Sequence, residues 1–346
     1  MRKIIFQILF VLSIGLAANI VFGFFWGEVD LFAHLQHRSL YLIFSGFLGY
    51  ILGMYLIETL RLHLLLEAYQ IKLNFWEKFT NSIMGYFYSS ITPMAAGGQP
   101  FQIMHLKSRG IQPSLASNIY VNRYVEHLIF SVLVILFSFT FTVNLLQKMR
   151  VNVGSEILSS ALTLSIILSV LVSIILLRPT ILAHLVRILG KFKKLKTWSE
   201  RATDFFQNLQ TSIIKSWDHH IGLMLLDSLL GILNTLIQAL SLWITLLLIG
   251  IELDFLTTFI TYMMLNLLVF YIPTPGASGG IEGVYSLAFG ALSRDYSGAW
   301  SAVLLWRIGA YYLLIPVAFI LLMVVKPVRE FILGIQTQRE HSSMDP

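Results

Sequence analysis

Cysteine is missing from all 346 residues, and only 12% of them carry a charge. The first absence excludes disulfides and thiolate metal sites. The second is about half the charged share of an ordinary soluble domain. No P-loop, dinucleotide fingerprint or metal-spaced set of histidines is present, so no cofactor is expected. The formal net charge of +6 comes without a soluble basic domain to carry it. Nucleic acid is therefore not an expected partner, and the positive charge belongs where a membrane protein meets an anionic face.

What remains is apolar. Hydrophobic residues make up 56% of the chain, and its mean hydropathy is +0.75. A bilayer-spanning helix needs about 20 apolar residues. Runs of that order lie at 4–25, 40–60, 115–146, 157–177, 221–249 and 298–325, while two further apolar regions, 79–106 and 256–292, are interrupted by proline and glycine. The run after Arg2 and Lys3 is long and has no clear small-residue cleavage site, so it reads as a retained first helix rather than a signal peptide.

The two interruptions are near-copies. Thr92-Pro93-Met94-Ala95-Ala96-Gly97-Gly98 and Thr274-Pro275-Gly276-Ala277-Ser278-Gly279-Gly280 share five residues in register, 182 positions apart. The same offset lays 40–60 on 222–242 and 115–141 on 297–323. This pattern predicts an all-α polytopic membrane protein with about six full spans and two re-entrant helical hairpins. Its first repeat covers about 40–146 and its second about 221–325, within one integral membrane domain over 1–335, followed by a short tail at 336–346.

Lysine and arginine set the expected orientation. Between 178 and 218, Arg178, Arg187, Lys191, Lys193, Lys194, Lys196, Arg201 and Lys215 outnumber Glu200, Asp204 and Asp218. That segment is expected in the cytoplasm, with both termini on the same side. The assignment requires each broken segment to enter and leave on one face and the second repeat to run inverted. Leu185, Ile188, Leu189, Phe192, Leu195 and Trp198 interleave the basic charges. This fits helices on an anionic leaflet, and it fits a solvated connector equally well.

Pro93 and Pro275 stop the incoming half-helices, because proline has no N–H to donate. Gly97, Gly98, Gly279 and Gly280 allow a sharp reversal. The outgoing half-helices near Gln99 and Ile281 then offer free N–H groups and a positive dipole end, an arrangement suited to a phosphate. The plainer reading is that the glycines only make tight turns for packing.

Charged residues within spans are costly unless paired or hydrated. Arg123, Glu126 and His127 lie one turn apart, and Arg307 falls two positions from register in the matching span. Glu58 and Arg61 form another one-turn pair, and Glu282 follows the second glycine pair where the first repeat has Pro100. The candidate substrate-binding set is therefore Thr92, Pro93, Gly97, Gly98, Gln99, Arg123, Glu126, His127, Thr274, Pro275, Ser278, Gly279, Gly280, Glu282 and Arg307. In it the two arginines hold a lipid phosphate while Glu126, Glu282 and His127 neutralise them or bind a proton. An internal salt-bridge lock is the alternative. Asp227, Asn234 and Gln238 share a helical face and read as buried interhelical hydrogen bonding.

Gly276-Ala277-Ser278-Gly279-Gly280 also fits G-x-S-x-G and resembles the serine motif of rhomboid intramembrane proteases. Such a serine needs a base. The only later histidine is His341, in the tail.

Ser89-Ser90-Ile91-Thr92-Pro93 with Gly97-Gly98-Gln99-Pro100, then Leu106-Lys107-Ser108-Arg109-Gly110, Arg123, and Pro273-Thr274-Pro275-Gly276 with Gly279-Gly280-Ile281-Glu282 resemble the lysylphosphatidylglycerol synthase transmembrane-region family of flippase-like proteins. The resemblance covers roughly 5–325. It implies a bacterial-type plasma-membrane protein that moves a phosphate-bearing lipid between leaflets, such as (lysyl)phosphatidylglycerol or a polyprenyl-phosphate-linked lipid. The implied partners are that membrane lipid and a separate lipid-synthesising enzyme. In two-part members of the family a cytosolic domain makes the aminoacyl lipid, and this chain is expected to be a stand-alone transmembrane region without it. The enzymatic alternative is participation in lysyl transfer to phosphatidylglycerol, and the third reading is a small-solute transporter.

Overall fold

In the computed structural model, every regular element among the described residues is helical; these are 40–92, 97–144, 155–189, 196–269 and 276–324, with Ser13, Gln147, Ile272 and Thr274. The expected first span at 4–25, Pro93, Pro275 and the tail lie outside them. The main helices are α1 (Leu40–Ala68), α2 (Phe75–Ile91), α3 (Gly98–Ser108), α4 (Pro113–Phe137), α5 (Ser155–Leu177), α6 (Thr180–Leu189), α7 (Lys196–Ile249), α8 (Phe255–Val269), α9 (Gly280–Ser293), α10 (Tyr296–Arg307) and α11 (Leu314–Val324). A π turn, Ile308–Tyr312, joins the last two. Five helical stretches are long and apolar enough to cross a membrane: Leu40–Ala68, Pro113–Phe137, Ser159–Leu177, Lys196–Ile249 and Tyr296–Val324. They coincide with five of the six expected spans, so the chain is a multi-pass membrane protein.

Local chemistry sets the ends of these helices. Asn74 and Glu77 close a reciprocal capping box at the start of α2. Pro113 opens α4 at a position whose N–H has no helical partner anyway. Three helices stop in the same way. Beyond α1, α3 and α7, the residues Gln70, Gly110 and Gly250 take positive φ. The N–H groups of Ile71, Ile111 and Ile251 then return to the carbonyls of Leu66, Leu106 and Leu246.

Within the basic stretch, the described residues Thr180–Leu189 and those from Lys196 onward are helical. α7 begins at Lys196 and continues to Ile249 through a kink at His220. Its first half packs on neighbouring helices through Ser199 Oγ, which donates to the Val186 carbonyl, and Trp217 Nε1, which donates to Asn122. Its second half is the hub of the fold, touching α1, α4, α8 and α10.

Helix order repeats along the chain. A long helix, two shorter ones flanking a glycine break, and another long helix follow each other in α1–α4. The same order recurs in the second half of α7 with α8, α9 and α10–α11. The first pair, α2 and α3, is strapped together. Asn81 Nδ2 donates to the Gln102 carbonyl at 2.9 Å and Gln102 Nε2 to the Asn81 carbonyl at 3.2 Å. Tyr120 of α4 donates to Asn81 Oδ1, and the Tyr88 and Phe101 rings stack. The last long helix is interrupted at the π turn, where Leu313 N–H reaches Ile308 at 2.8 Å. Pro316 has no N–H for the carbonyl four residues back, and a wider turn just ahead of it absorbs the defect.

Gly98 and Gly222 make a contrast. A Cβ on Gly98 would strike the Ser89 side chain and the Gly85 carbonyl, whereas one on Gly222 meets open space. Gly98→Ala should wedge α3 from α2 and lower stability by about 2 kcal/mol. Gly222→Ala should be neutral or raise it by up to about 1 kcal/mol. Thermal unfolding of the detergent-solubilised variants distinguishes the two.

Candidate functional site

Five charged side chains converge where α1, α4 and α7 meet. Arg61 extends from α1, and its Nε and Nη2 donate to the two Asp227 oxygens at 3.1 and 3.0 Å. Arg123 comes from α4 and grips the same carboxylate with Nη2 and Nε at 2.9 and 3.2 Å. Glu58, one turn before Arg61, bridges both guanidiniums: Oε1 accepts from Arg61 at 3.0 Å and Oε2 from Arg123 at 3.2 Å. Glu126 Oε2 accepts from Arg61 Nη2 at 3.1 Å. Asn234 donates to Glu58 and to the Tyr86 hydroxyl, tying in α2.

Asp227 is 2% exposed, and an unpaired charge at such a place is strongly disfavoured. Two guanidiniums answer it with four hydrogen bonds, each in the planar fork geometry that lysine lacks. Gly231, one turn beyond Asp227, makes the approach possible. A Cβ there would run into Glu126 Oε1 and the Arg61 guanidinium.

Two hollows flank this cluster on adjoining faces of α4. A polar cavity of about 240 Å³ is lined by Glu58, Arg61, Tyr86, Gln99, Arg123 and His127 among others. A larger, mainly apolar groove of about 690 Å³ runs between α4 and α7; Glu126, Ile129, Leu133, Ile214, Trp217 and Ile232 line it, with Arg178 and Asp218 also in its wall. From Asn122 to Leu133 it follows α4 for about 16 Å.

The second break carries its own cluster. Arg307 Nε donates to Glu282 Oε1 at 3.0 Å, and Nη2 donates to the Gly276 carbonyl and to Ser278 Oγ. Its guanidinium lies 3.9 Å from the centre of the Tyr311 ring. Glu282 Oε2 accepts the Gly279 N–H at 2.8 Å, and Tyr312 donates to Oε1. Thr274 Oγ1 donates to the Ser278 carbonyl. Gly276 and Gly279 have φ of +55° and +87°, and a Cβ at Gly276 would enter the Tyr311 ring.

The candidate residues thus fall into two groups. Gln99, Arg123 and His127 share the polar cavity, and Glu126 joins them through Arg61. Thr92, Gly97 and Gly98 build the bend above: Thr92 Oγ1 accepts the Gly97 N–H at 2.8 Å, and α3 begins without a side-chain cap. Thr274, Ser278, Gly279, Gly280, Glu282 and Arg307 belong to the second cluster. Arg123 and Arg307 therefore do not meet on shared partners. The two half-helix ends also differ. That of α3 has no side-chain cap, whereas that of α9 is served by Glu282, a glutamate at the third helical position where the first half of the chain has Pro100.

Sequence reasoning paired Glu58 with Arg61 but left both outside the candidate set, and it missed Tyr86 and Gly231. The spacing of Asp227 and Asn234 was the available signal. Gln238, on the same face, accepts from Tyr262.

An all-helical, multi-pass membrane protein with one buried ion-pair cluster at the α1–α4–α7 junction and another at the second helix break is the class these features define. The family model described as the lysylphosphatidylglycerol synthase TM region matches residues 5–318, and the chain belongs to that family. Membership gives it a membrane-lipid-related role. No curated protein and no solved structure matches the chain.

Removing Asp227 strands two buried guanidiniums, so Asp227→Ala should cost about 3–5 kcal/mol. Glu126→Gln keeps an acceptor for Arg61 and should cost less than about 1 kcal/mol. Chemical denaturation in detergent measures both, and equal losses would refute the assigned hierarchy.

Proposed function

We propose that the protein is a flippase-like lipid translocase that moves a phosphate-bearing lipid between leaflets of a bacterial-type plasma membrane, with its termini in the cytoplasm. The observation that carries this reading is the position of Arg61 and Arg123. They stand between a polar cavity sized for a head group and an apolar groove shaped for a hydrocarbon chain. A phosphate in the cavity meets both guanidiniums, Gln99 and the uncapped start of α3, which together supply charge-assisted and backbone donors.

Glu58 and Asp227 hold the arginines in place while the site is empty. The incoming phosphate exchanges for part of that carboxylate set, so the desolvated charges are never left unpaired. The Arg307 cluster, satisfied by its own partners, fixes the second break and with it the far wall of the transport path. Tyr311 extends that anchor to the first break by donating to the Ser90 carbonyl at 2.7 Å. The family description names lysylphosphatidylglycerol, and phosphatidylglycerol with its aminoacyl form is the first substrate pair to test. Rocking of one repeat against an inverted second repeat supplies alternating access in this reading.

The test is a leaflet-resolved assay in proteoliposomes with fluorescent phosphatidylglycerol, lysylphosphatidylglycerol and polyprenyl-phosphate probes. The wild type should move at least one probe. Arg123→Lys keeps the charge but loses the fork, and should slow that movement by roughly 10-fold. Absence of movement for every probe would overturn the reading. Lysylphosphatidylglycerol made by the chain expressed alone would favour the enzymatic one.

A further inference from the structure

The charge count at the α1–α4–α7 junction does not balance. Two guanidiniums face three carboxylates, Glu58, Glu126 and Asp227. The three are not held alike. Asp227 accepts four hydrogen bonds, and Glu58 accepts three, counting the one from Asn234. Glu126 accepts one, at Oε2, from an Arg61 nitrogen that also serves Asp227. Its Oε1 accepts none among the described residues and lies against Gly231 at the wall of the apolar groove. Glu126 is thus the surplus carboxylate and, with a single hydrogen bond, the one most open to exchange.

We infer that Glu126 is an exchangeable proton site, loaded at Oε1 when an anionic head group engages Arg61 and Arg123. The inference rests on the lipid reading for its second half only. A phosphate that takes over guanidinium donors adds negative charge to a buried set already one in excess. That addition is tolerated only if a carboxylate is neutralised. The proton comes from water at the groove, forms the Oε1–H bond and leaves by the same route when the phosphate departs.

The other charged groups facing Glu126 do not take this role. From α1, Glu58 is bound on both oxygens and Arg61 is a permanent cation. From α4, Arg123 is engaged with Asp227, and His127 opens on the cavity side. From α7, Asp227 is saturated, and Asp218 lines the groove with no ion pair to Arg61 or Arg123 among the described residues. Head-group binding and proton binding therefore assist each other, and by reciprocity the affinity for an anionic lipid rises as pH falls.

Two measurements test this separately. The first is infrared difference titration of the purified, lipid-free protein, reading the C=O stretching band of a protonated carboxylic acid. The wild type and Glu126→Asp should show a titrating band that Glu126→Gln lacks. The second is binding of short-chain phosphatidylglycerol in detergent across pH, with proton uptake followed by a pH dye. Wild-type affinity should rise by up to about tenfold per pH unit as one proton is taken up. Glu126→Gln should bind with a flat pH profile and take up none.

A titrating band without lipid binding keeps the proton site and refutes the lipid reading. Lipid binding with the same pH slope in Glu126→Gln overturns the inference and leaves the lipid reading standing. A sodium-dependent affinity without proton uptake overturns it as well.

Discussion

Asp227 with its two arginines is the constraint on which the rest of the structure depends. A carboxylate inside a membrane protein is disfavoured unless its lone pairs are met. Here they are met by side chains from two other helices, Arg61 of α1 and Arg123 of α4. That demand brings α1, α4 and α7 together at one depth and sets their rotation. It also explains a glycine in the middle of α7, because a Cβ at position 231 would run into Glu126 and Arg61.

The two helix breaks use the same physical devices to different ends. At the first, Thr92 Oγ1 accepts the Gly97 N–H, and the strap between Asn81 and Gln102 holds α2 and α3 against each other in antiparallel order. Gln99, at its helix start, lines the polar cavity together with Glu58, Arg61 and Arg123. At the second, Glu282 serves the helix start and is itself held by Arg307 and Tyr312. The ring of Tyr311 fills the space beside Gly276. One helix start has no side-chain cap and the other is served by its own glutamate, so the repeated order of helices carries two unlike chemistries.

Much of the architecture was legible because it depends on local pattern. Apolar runs mark the spans, and paired glycines with a preceding proline mark the breaks. Glu58 and Arg61, three apart, declare their ion pair by spacing alone. The cluster itself was not legible, since Arg123 and Asp227 are 104 positions apart and nothing local couples them. The near-register of Arg123 and Arg307 pointed to a shared ligand, yet Arg123 found Asp227 and Glu58 while Arg307 found Glu282. The π turn was hidden for a similar reason. Pro316 announces a defect, but where the helix absorbs it is decided by packing around Tyr311 and Gly309.

The family assignment connects this chain to membrane lipid, and the central claim is narrower: a lipid phosphate replaces carboxylate at Arg61 and Arg123. A structure of the protein in nanodiscs rich in phosphatidylglycerol tests it most directly. Phosphate density is expected within hydrogen-bonding distance of both guanidiniums, with the lipid chain in the groove along α4 and Glu126 released from Arg61. An unchanged five-residue cluster, with the phosphate bound elsewhere, would contradict it.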